Sequence, residues 1–471
     1  MENEQPGASR PRRARTVRRA LLASLMGSAV LGGVLVLLPA GEEEAVPAPG
    51  AVARARAAVS AGVPAALPDL AAFVADRETY LRNRPGDARA WALLGAAYVE
   101  RGARTADAGN YPRAERALRT SLKVRGRRNE EALAGLAAPA NARRDYRAAK
   151  QWGEAAVGAA PKMWTAYPSL IEAYAGLGDY KAQRRTLDRL LALRHGPAAT
   201  AVAARVYWGQ GRHEDATASL TDAVARAGGR AERAAYWVRC GELEWERGEP
   251  AEALRYFEAA VRTDSGAHAA LAGRGRAPAA LGRTSQALEA YRAAFAKQPD
   301  PRYPLELGEL YASLGDEEAA KEQYDLVRER VRKDEAGGVD DALVLGLLEA
   351  DHGDPHKAVR RLRKEWKRQP GIPVADALGW ALYRAGEGEQ ALVFATRATD
   401  RERGGGVQSA LYTYHRAEIE LDLKRTGPAR RHFVQALRIN PHFSPLLAPA
   451  AEAALGEAGE PPQETVPTRE R

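Results

Sequence analysis

One glycine recurs along this chain, and its period limits what the chain can fold into. It stands at Gly178, Gly211, Gly248, Gly282, Gly315, Gly353 and Gly386, at spacings of 33, 37, 34, 33, 38 and 33 residues. Such a period belongs to a repeat architecture, in which each unit buries its apolar face only against its neighbours. Five residues after the glycine comes Ala, at Ala216, Ala253, Ala287, Ala320, Ala358 and Ala391, with Gln183 as the departure. Seven residues before it comes a small residue, at Ala204, Gly241, Gly275, Gly308, Gly346 and Gly379, with Ile171 departing. Two small positions with a glycine between them describe two helices in close contact. The glycine takes the left-handed conformation that ends helix A, and the small residues let helices A and B approach.

Ten such units start near residues 88, 130, 164, 197, 234, 268, 301, 339, 372 and 410. Nine carry the alanine of helix B, since Ala114, Ala149 and Ala429 extend the series above. Trp237, Gly241, Ala253, Phe257 and Ala260 make one complete unit, and prolines close others at Pro161, Pro299, Pro370 and Pro441. This spacing resembles the tetratricopeptide repeat, a helix-turn-helix unit of about 34 residues. Cys240 and Glu244 depart from the family's Leu and Tyr. The resemblance covers residues 87–445 and implies an all-α fold, a right-handed α-solenoid of about ten tetratricopeptide helix pairs with capping helices.

The rest of the chain is organised around that solenoid. Residues 1–19 form a basic tail with six Arg, and residues 20–38 follow without a charge. Nineteen residues at about 1.5 Å each just cross a hydrocarbon core of about 30 Å. With basic residues before and Glu42, Glu43 and Glu44 after, residues 20–38 read as a signal anchor with the N-terminus inside and the repeats outside a cytoplasmic membrane. A cleaved signal peptide, which would release the chain, and a soluble cytoplasmic protein are the alternatives. Residues 39–67 are rich in Ala, Pro and Gly and read as a disordered linker. Residues 68–86 and 446–456 read as capping helices, and 457–471 as a disordered tail.

Composition excludes several functions. The lone cysteine, Cys240, rules out an internal disulfide and a multi-cysteine metal site. Net charge is +9, but unevenly placed: residues 101–150 carry 13 basic and 5 acidic side chains, and residues 301–350 carry 6 and 13. Arg113, Arg116, Arg119, Lys123, Arg127, Arg128, Arg143, Arg144 and Arg147 could touch phosphates. No nucleic-acid motif accompanies them, so solvated helix faces are favoured and a nucleic-acid partner is not expected. His352 and His356 straddle a turn, which disfavours a metal site, and His415 with Glu418 lacks a nucleophile or oxyanion hole. No catalytic residue, cofactor or metal is expected.

In the resembled family the ligand-facing positions lie on helix A. Carried over by spacing, they are Arg89, Glu172, Arg205, Trp208, Arg239, Glu242, Trp245, Arg276, Glu309, Trp380, Tyr383, Tyr414 and Glu418. Trp208 and Trp245 hold the same place in adjacent repeats and are expected to face one concave channel. The family's Lys, Asn and Arg clamp for a peptide carboxylate has no match, because none of the six Asn falls at a groove position. The resemblance implies a non-enzymatic, membrane-tethered scaffold that binds a protein or peptide partner. An enzyme built on a helical solenoid and a cytoplasmic regulator linked to nucleic acid through its basic early repeats are the alternatives.

Overall fold

The computed structural model describes residues 48–126, 129–400 and 408–457, and those of them from Ala51 on form one compact unit. Every described element is helical, with 23 α-helices and one 3₁₀ turn. The first five repeats pair Ala88–Thr105 with Asn110–Val124, Glu130–Ala142 with Tyr146–Ala159, Tyr167–Gly176 with Tyr180–Leu193, Pro197–Gly209 with His213–Arg226, and Arg230–Glu246 with Pro250–Thr263. The last five pair Ala269–Ala280 with Thr284–Lys297, Arg302–Ser313 with Glu317–Ala336, Ala342–His352 with Pro355–Arg368, Ile372–Arg384 with Gly388–Thr399, and Ala410–Asp422 with Thr426–Ile439. The pairs stack as a right-handed α-solenoid.

The periodic small residues do what their spacing implies. A Cβ built on Gly95, Gly241, Gly275, Gly308 or Gly346 would meet the side chain of Leu118, Phe257, Tyr291, Tyr324 or Leu362 at 2.4–2.7 Å. Each of those large residues comes from helix B of the same repeat and fills the space that the missing Cβ leaves. The turn glycines Gly178, Gly211, Gly248, Gly282, Gly315 and Gly386 have φ between 69° and 80°. Gly353 departs from the expectation, with φ −155°. Asp354 there accepts hydrogen bonds from the His356 and Lys357 amides and starts helix B without a left-handed residue. Where a repeat has no turn glycine, another residue bears the strain: Ala106, Arg144 and Lys424 are the described non-glycine residues with positive φ.

Two expectations are corrected at the N-terminal side. Ala51–Ser60 is a helix inside the stretch read as a linker. Val52, Ala55 and Val59 give it an apolar stripe that packs in one cluster with Leu70, Phe73 and Leu94, and Arg54 pairs with Asp69 at 2.7 Å. The placement on a cytoplasmic membrane is also overturned. Among the described residues no helix is long and apolar enough to cross a membrane, and residues 20–38, read as a signal anchor, lie outside the described residues.

The repeat spacing did not predict that successive superhelical turns touch. The turns between helices A and B of the first, second, third and fifth repeats dock on the loops that follow the sixth, seventh, eighth and tenth, and the loop after the eighth also reaches the turn of the second. From the sixth repeat, Gln298 Nε2 donates to the Ala103 carbonyl at 2.9 Å. From the seventh, Asp340 accepts at its carbonyl from Arg144 at 3.1 Å, and the same guanidinium pairs with Asp341. From the eighth, Gln369 Nε2 donates to the Arg144 carbonyl at 2.8 Å, and the Ile372 amide donates to the Tyr180 hydroxyl at 2.9 Å. From the tenth, Asn440 Nδ2 donates to the Trp245 carbonyl at 2.7 Å. Arg104 adds a half-enclosed pair with Asp264 at 2.8 Å. The uneven charge of the chain now has a structural outlet, because the basic early repeats lie against the acidic later ones.

Candidate functional site

On each helix A one residue directly follows the small position, and in a regular stack it is expected toward the inner face of the solenoid. Read along repeats three to seven, that residue is Glu172, Arg205, Glu242, Arg276 and Glu309, an alternation of charge. In repeats eight to ten it is Leu347, Trp380 and Glu418. The small residue must face helix B, so its successor is turned about 100° away, toward the inside.

The charges differ in how they are satisfied. Arg205 and Glu172 form a loose pair at 3.5 Å, with side chains 43% and 41% exposed. Arg276 is held by both oxygens of Glu306 at 2.8 Å. Burial works against the Arg276 charge, but the Glu306 carboxylate outweighs it and its pKa is raised. Glu309 has no such partner among the described residues. Enclosure by protein pushes its carboxyl up to about 8, and the neighbouring charges of Glu306 and Asp351 add to the shift. Arg239 donates to the Ala201 carbonyl at 3.3 Å, and burial followed by repulsion from Arg205 lowers its pKa. Glu100, on helix A of the first repeat, is pushed up to about 7 by burial.

Three spaces open along this face. One of about 480 Å³ is floored by small residues, among them Ala92, Ala96, Ala134 and Ala138, with Arg89 and Glu131 beside them. A second, of about 250 Å³, takes in Arg239, Glu242 and Glu100. A third, of about 410 Å³, lies where Glu172, Arg205 and Trp208 meet residues 371–374 and Tyr412 from the later repeats.

Several residues expected on the channel wall are instead in the core. Trp245 is 9% exposed and packs with Ala253, Phe257 and Ala270. The docking of Asn440 on its carbonyl and of Pro441 on Gly248 closes that end of its helix. Trp380 is 3% exposed; its Nε1 donates to Asp351 at 2.9 Å and its ring stacks on His415 at 4.1 Å. Tyr414 is buried among Trp380, Phe433 and Phe443. His415 is turned to Asp376, at 3.0 Å, rather than to Glu418. Tyr383 is half-buried against Trp380, and burial raises the pKa of Glu418 against the pull of a hydrogen bond from Tyr414. Among the described residues no group of three or more His, Cys, Asp or Glu could hold a metal ion.

The amides of Gln298, Gln369 and Asn440 escaped the sequence reading. A signal for them existed, since each directly precedes a repeat-closing proline, Pro299, Pro370 or Pro441. In the first five repeats the equivalent proline, Pro161, follows Ala160.

Comparison with known proteins gives the same repeat. Residues 201–268 and 272–335 match the family model described as tetratricopeptide repeat. Over 81 residues the chain is 42% identical to a tetratricopeptide repeat and J domain-containing co-chaperone of Fusarium oxysporum f. sp. lycopersici, a match that covers 17% of this chain and 16% of that protein. The chain thus spans about a sixth of that relative's length. Among solved structures, a tetratricopeptide repeat protein from Parabacteroides merdae is 17% identical, with a TM-score of 0.32 over 56% of this chain and 98% of that one. PilW, a type IV pilus biogenesis factor, is 18% identical, with a TM-score of 0.37 over 42% and 92%.

Proposed function

We propose that this chain, a tetratricopeptide-repeat protein, is a non-enzymatic scaffold that takes a protein or peptide partner along its inner face. The carrying observation is the run Glu172, Arg205, Glu242, Arg276 and Glu309, which keeps alternating charge on helix A although the neighbouring positions are core. A rigid surface of this kind meets an extended segment without ordering itself first, which removes part of the entropic cost of association. Alternating charge selects a partner by complementarity and sets its register.

The docked turns support the same reading, because they hold the inner face in one shape. They also weaken the nucleic-acid alternative. Arg143 pairs with Glu115 at 2.6 Å, Arg144 is held by Asp341, and Arg147 donates to the Lys367 carbonyl at 2.8 Å. Three of the basic residues offered to phosphate are therefore occupied within the chain.

The test is site-specific photocrosslinking in a native extract. A photoreactive residue in place of Arg205 or Glu242 should capture one partner repeatedly, and one in place of Val393, 66% exposed on a helix B, should not. Equal capture at all three places, or none at any, would end the scaffold reading.

A further inference from the structure

The cavity of about 410 Å³ differs from the other spaces on the inner face in having aromatic walls contributed by both superhelical turns. Trp208 and Tyr146 come from the early repeats, and Tyr412 comes from helix A of the tenth. Glu246, the last residue of helix A in the fifth repeat, reaches into the same space.

The polar groups of this lining fall into two sets. In the first, every charge is answered: Arg144 by Asp341, Asp340 and Glu365 by Arg368, and Glu172 by Arg205. In the second none is answered, because the Glu246 carboxylate and the Tyr412 and Tyr146 hydroxyls have no hydrogen-bond partner among the described residues. A half-buried carboxylate without a protein partner is stabilised by a group that supplies the opposite charge. Burial accordingly raises the pKa of Glu246, and Arg276, which pulls it back, already has both its forks on Glu306. Burial also drives the Tyr412 hydroxyl well above its ordinary range, with the Asp376 and then the Glu246 charge adding to it, and Tyr412 and Glu246 both line the space.

We propose that this cavity binds an alkylammonium group, with the cation seated on the Glu246 carboxylate and between the rings of Trp208 and Tyr412. An anion would meet the Glu246 charge across a lining whose two guanidiniums, Arg144 and Arg205, are already paired with Asp341 and Glu172. A neutral apolar group would leave the carboxylate and both hydroxyls unsatisfied. An ammonium satisfies all of them: it supplies charge and three donors to Glu246 and the tyrosine oxygens, and the aromatic faces attract it. The size suits a compact ligand. The group could come from a lysine side chain of the segment bound along the inner face or from a free polyamine. The first source rests on the scaffold reading, and the second does not.

The experiment is isothermal titration calorimetry of the full chain at pH 8.5, where an alkylammonium is still charged. The probes are spermidine and an acetylated, amidated Gly-Lys-Gly peptide. Wild type should bind at least one of them, and Glu246→Gln should weaken that binding tenfold or more with an unchanged melting curve. Should that variant not fold, Trp208→Leu serves in its place and should weaken binding about tenfold. Tighter binding of the peptide assigns the site to a partner's lysine, and tighter binding of spermidine assigns it to a free amine. Absence of binding by both probes, or binding that neither substitution weakens, overturns the proposal. Because the titration needs no partner, its failure leaves the crosslinking test of the scaffold untouched, and failed crosslinking leaves the cation site standing.

Discussion

The turns between helices A and B that close on a left-handed glycine have one backbone shape in the first five repeats and in the last five, but they stand in different surroundings. Gly178 and Gly282 both have φ +71°; a Cβ on the first would lie 2.5 Å from the Pro370 carbonyl oxygen, and one on the second would have nothing within 4 Å. Gly248 is likewise pressed by Pro441 at 2.8 Å, and Gly315 and Gly386 are open. The early turns end a helix and also receive the next superhelical turn. The late turns only end a helix. One local motif therefore carries two loads, and only position along the superhelix distinguishes them.

The largest expected effect breaks the comparison beside a docked turn. Trp245 lies in the last turn of helix A, just before Gly248, and is buried, whereas Trp208, at the equivalent place one repeat earlier, keeps one side on a cavity. Trp245→Ala should destabilise the chain by about 3–5 kcal/mol, as other buried aromatic truncations do. Trp208→Ala should cost about 1–2 kcal/mol, because less apolar area returns to water. Denaturant unfolding of the two variants measures the difference, and equal losses would mean that docking does not bury Trp245 in solution.

A smaller effect sharpens the comparison at the glycines themselves. Gly282→Ala should cost about 1–2 kcal/mol, the price of a left-handed backbone with a Cβ. Gly178→Ala carries the same strain and also forces Pro370 away, which adds about 1–3 kcal/mol of overpacking. The excess should shrink in a Gln369→Ala background, where the eighth-repeat loop has already lost its hydrogen bond to Arg144. An excess that persists unchanged there would show that Gly178 is penalised within its own repeat and not by the docked loop.

The division of labour among the turns explains what could be read beforehand. Gly241 and Ala253 announce their helix pair because the residues they accommodate are close in sequence and every repeat restates the rule. The contact of Asn440 with Trp245 has no such restatement. It joins residues 195 apart, and its geometry depends on how far the superhelix advances over five repeats, a sum of small rotations that no single repeat encodes. The shared helix A position of Arg205, Glu242, Arg276 and Glu309 was legible because it follows the period. The fate of Trp245, Trp380 and Tyr414 was not, because a helix A position counts as inner or buried only once the neighbouring layers are in place. Ala51–Ser60 was missed for a different reason: its apolar stripe is written in Ala and Val, which composition alone does not separate from a tether.

The smallest effect concerns the turns that lack glycine. Lys424 has φ 61° and is exposed at the turn of the tenth repeat, on which no other repeat docks among the described residues. A left-handed lysine is strained by about 1–2 kcal/mol, and replacement by glycine removes that strain. Glycine also frees the unfolded chain, which returns roughly 0.5–1 kcal/mol of the gain. Lys424→Gly should therefore stabilise the protein by about 0.5–1 kcal/mol in thermal or denaturant unfolding. At Arg144, φ 59°, the backbone relief is the same but the sign should reverse, because the exchange removes the guanidinium that pairs with buried Asp341. A carboxylate left buried without its partner costs more than one relaxed turn returns. If Arg144→Gly stabilised the chain as Lys424→Gly does, the early turns would bear no docking load, and the distinction between the two halves of the solenoid would fall.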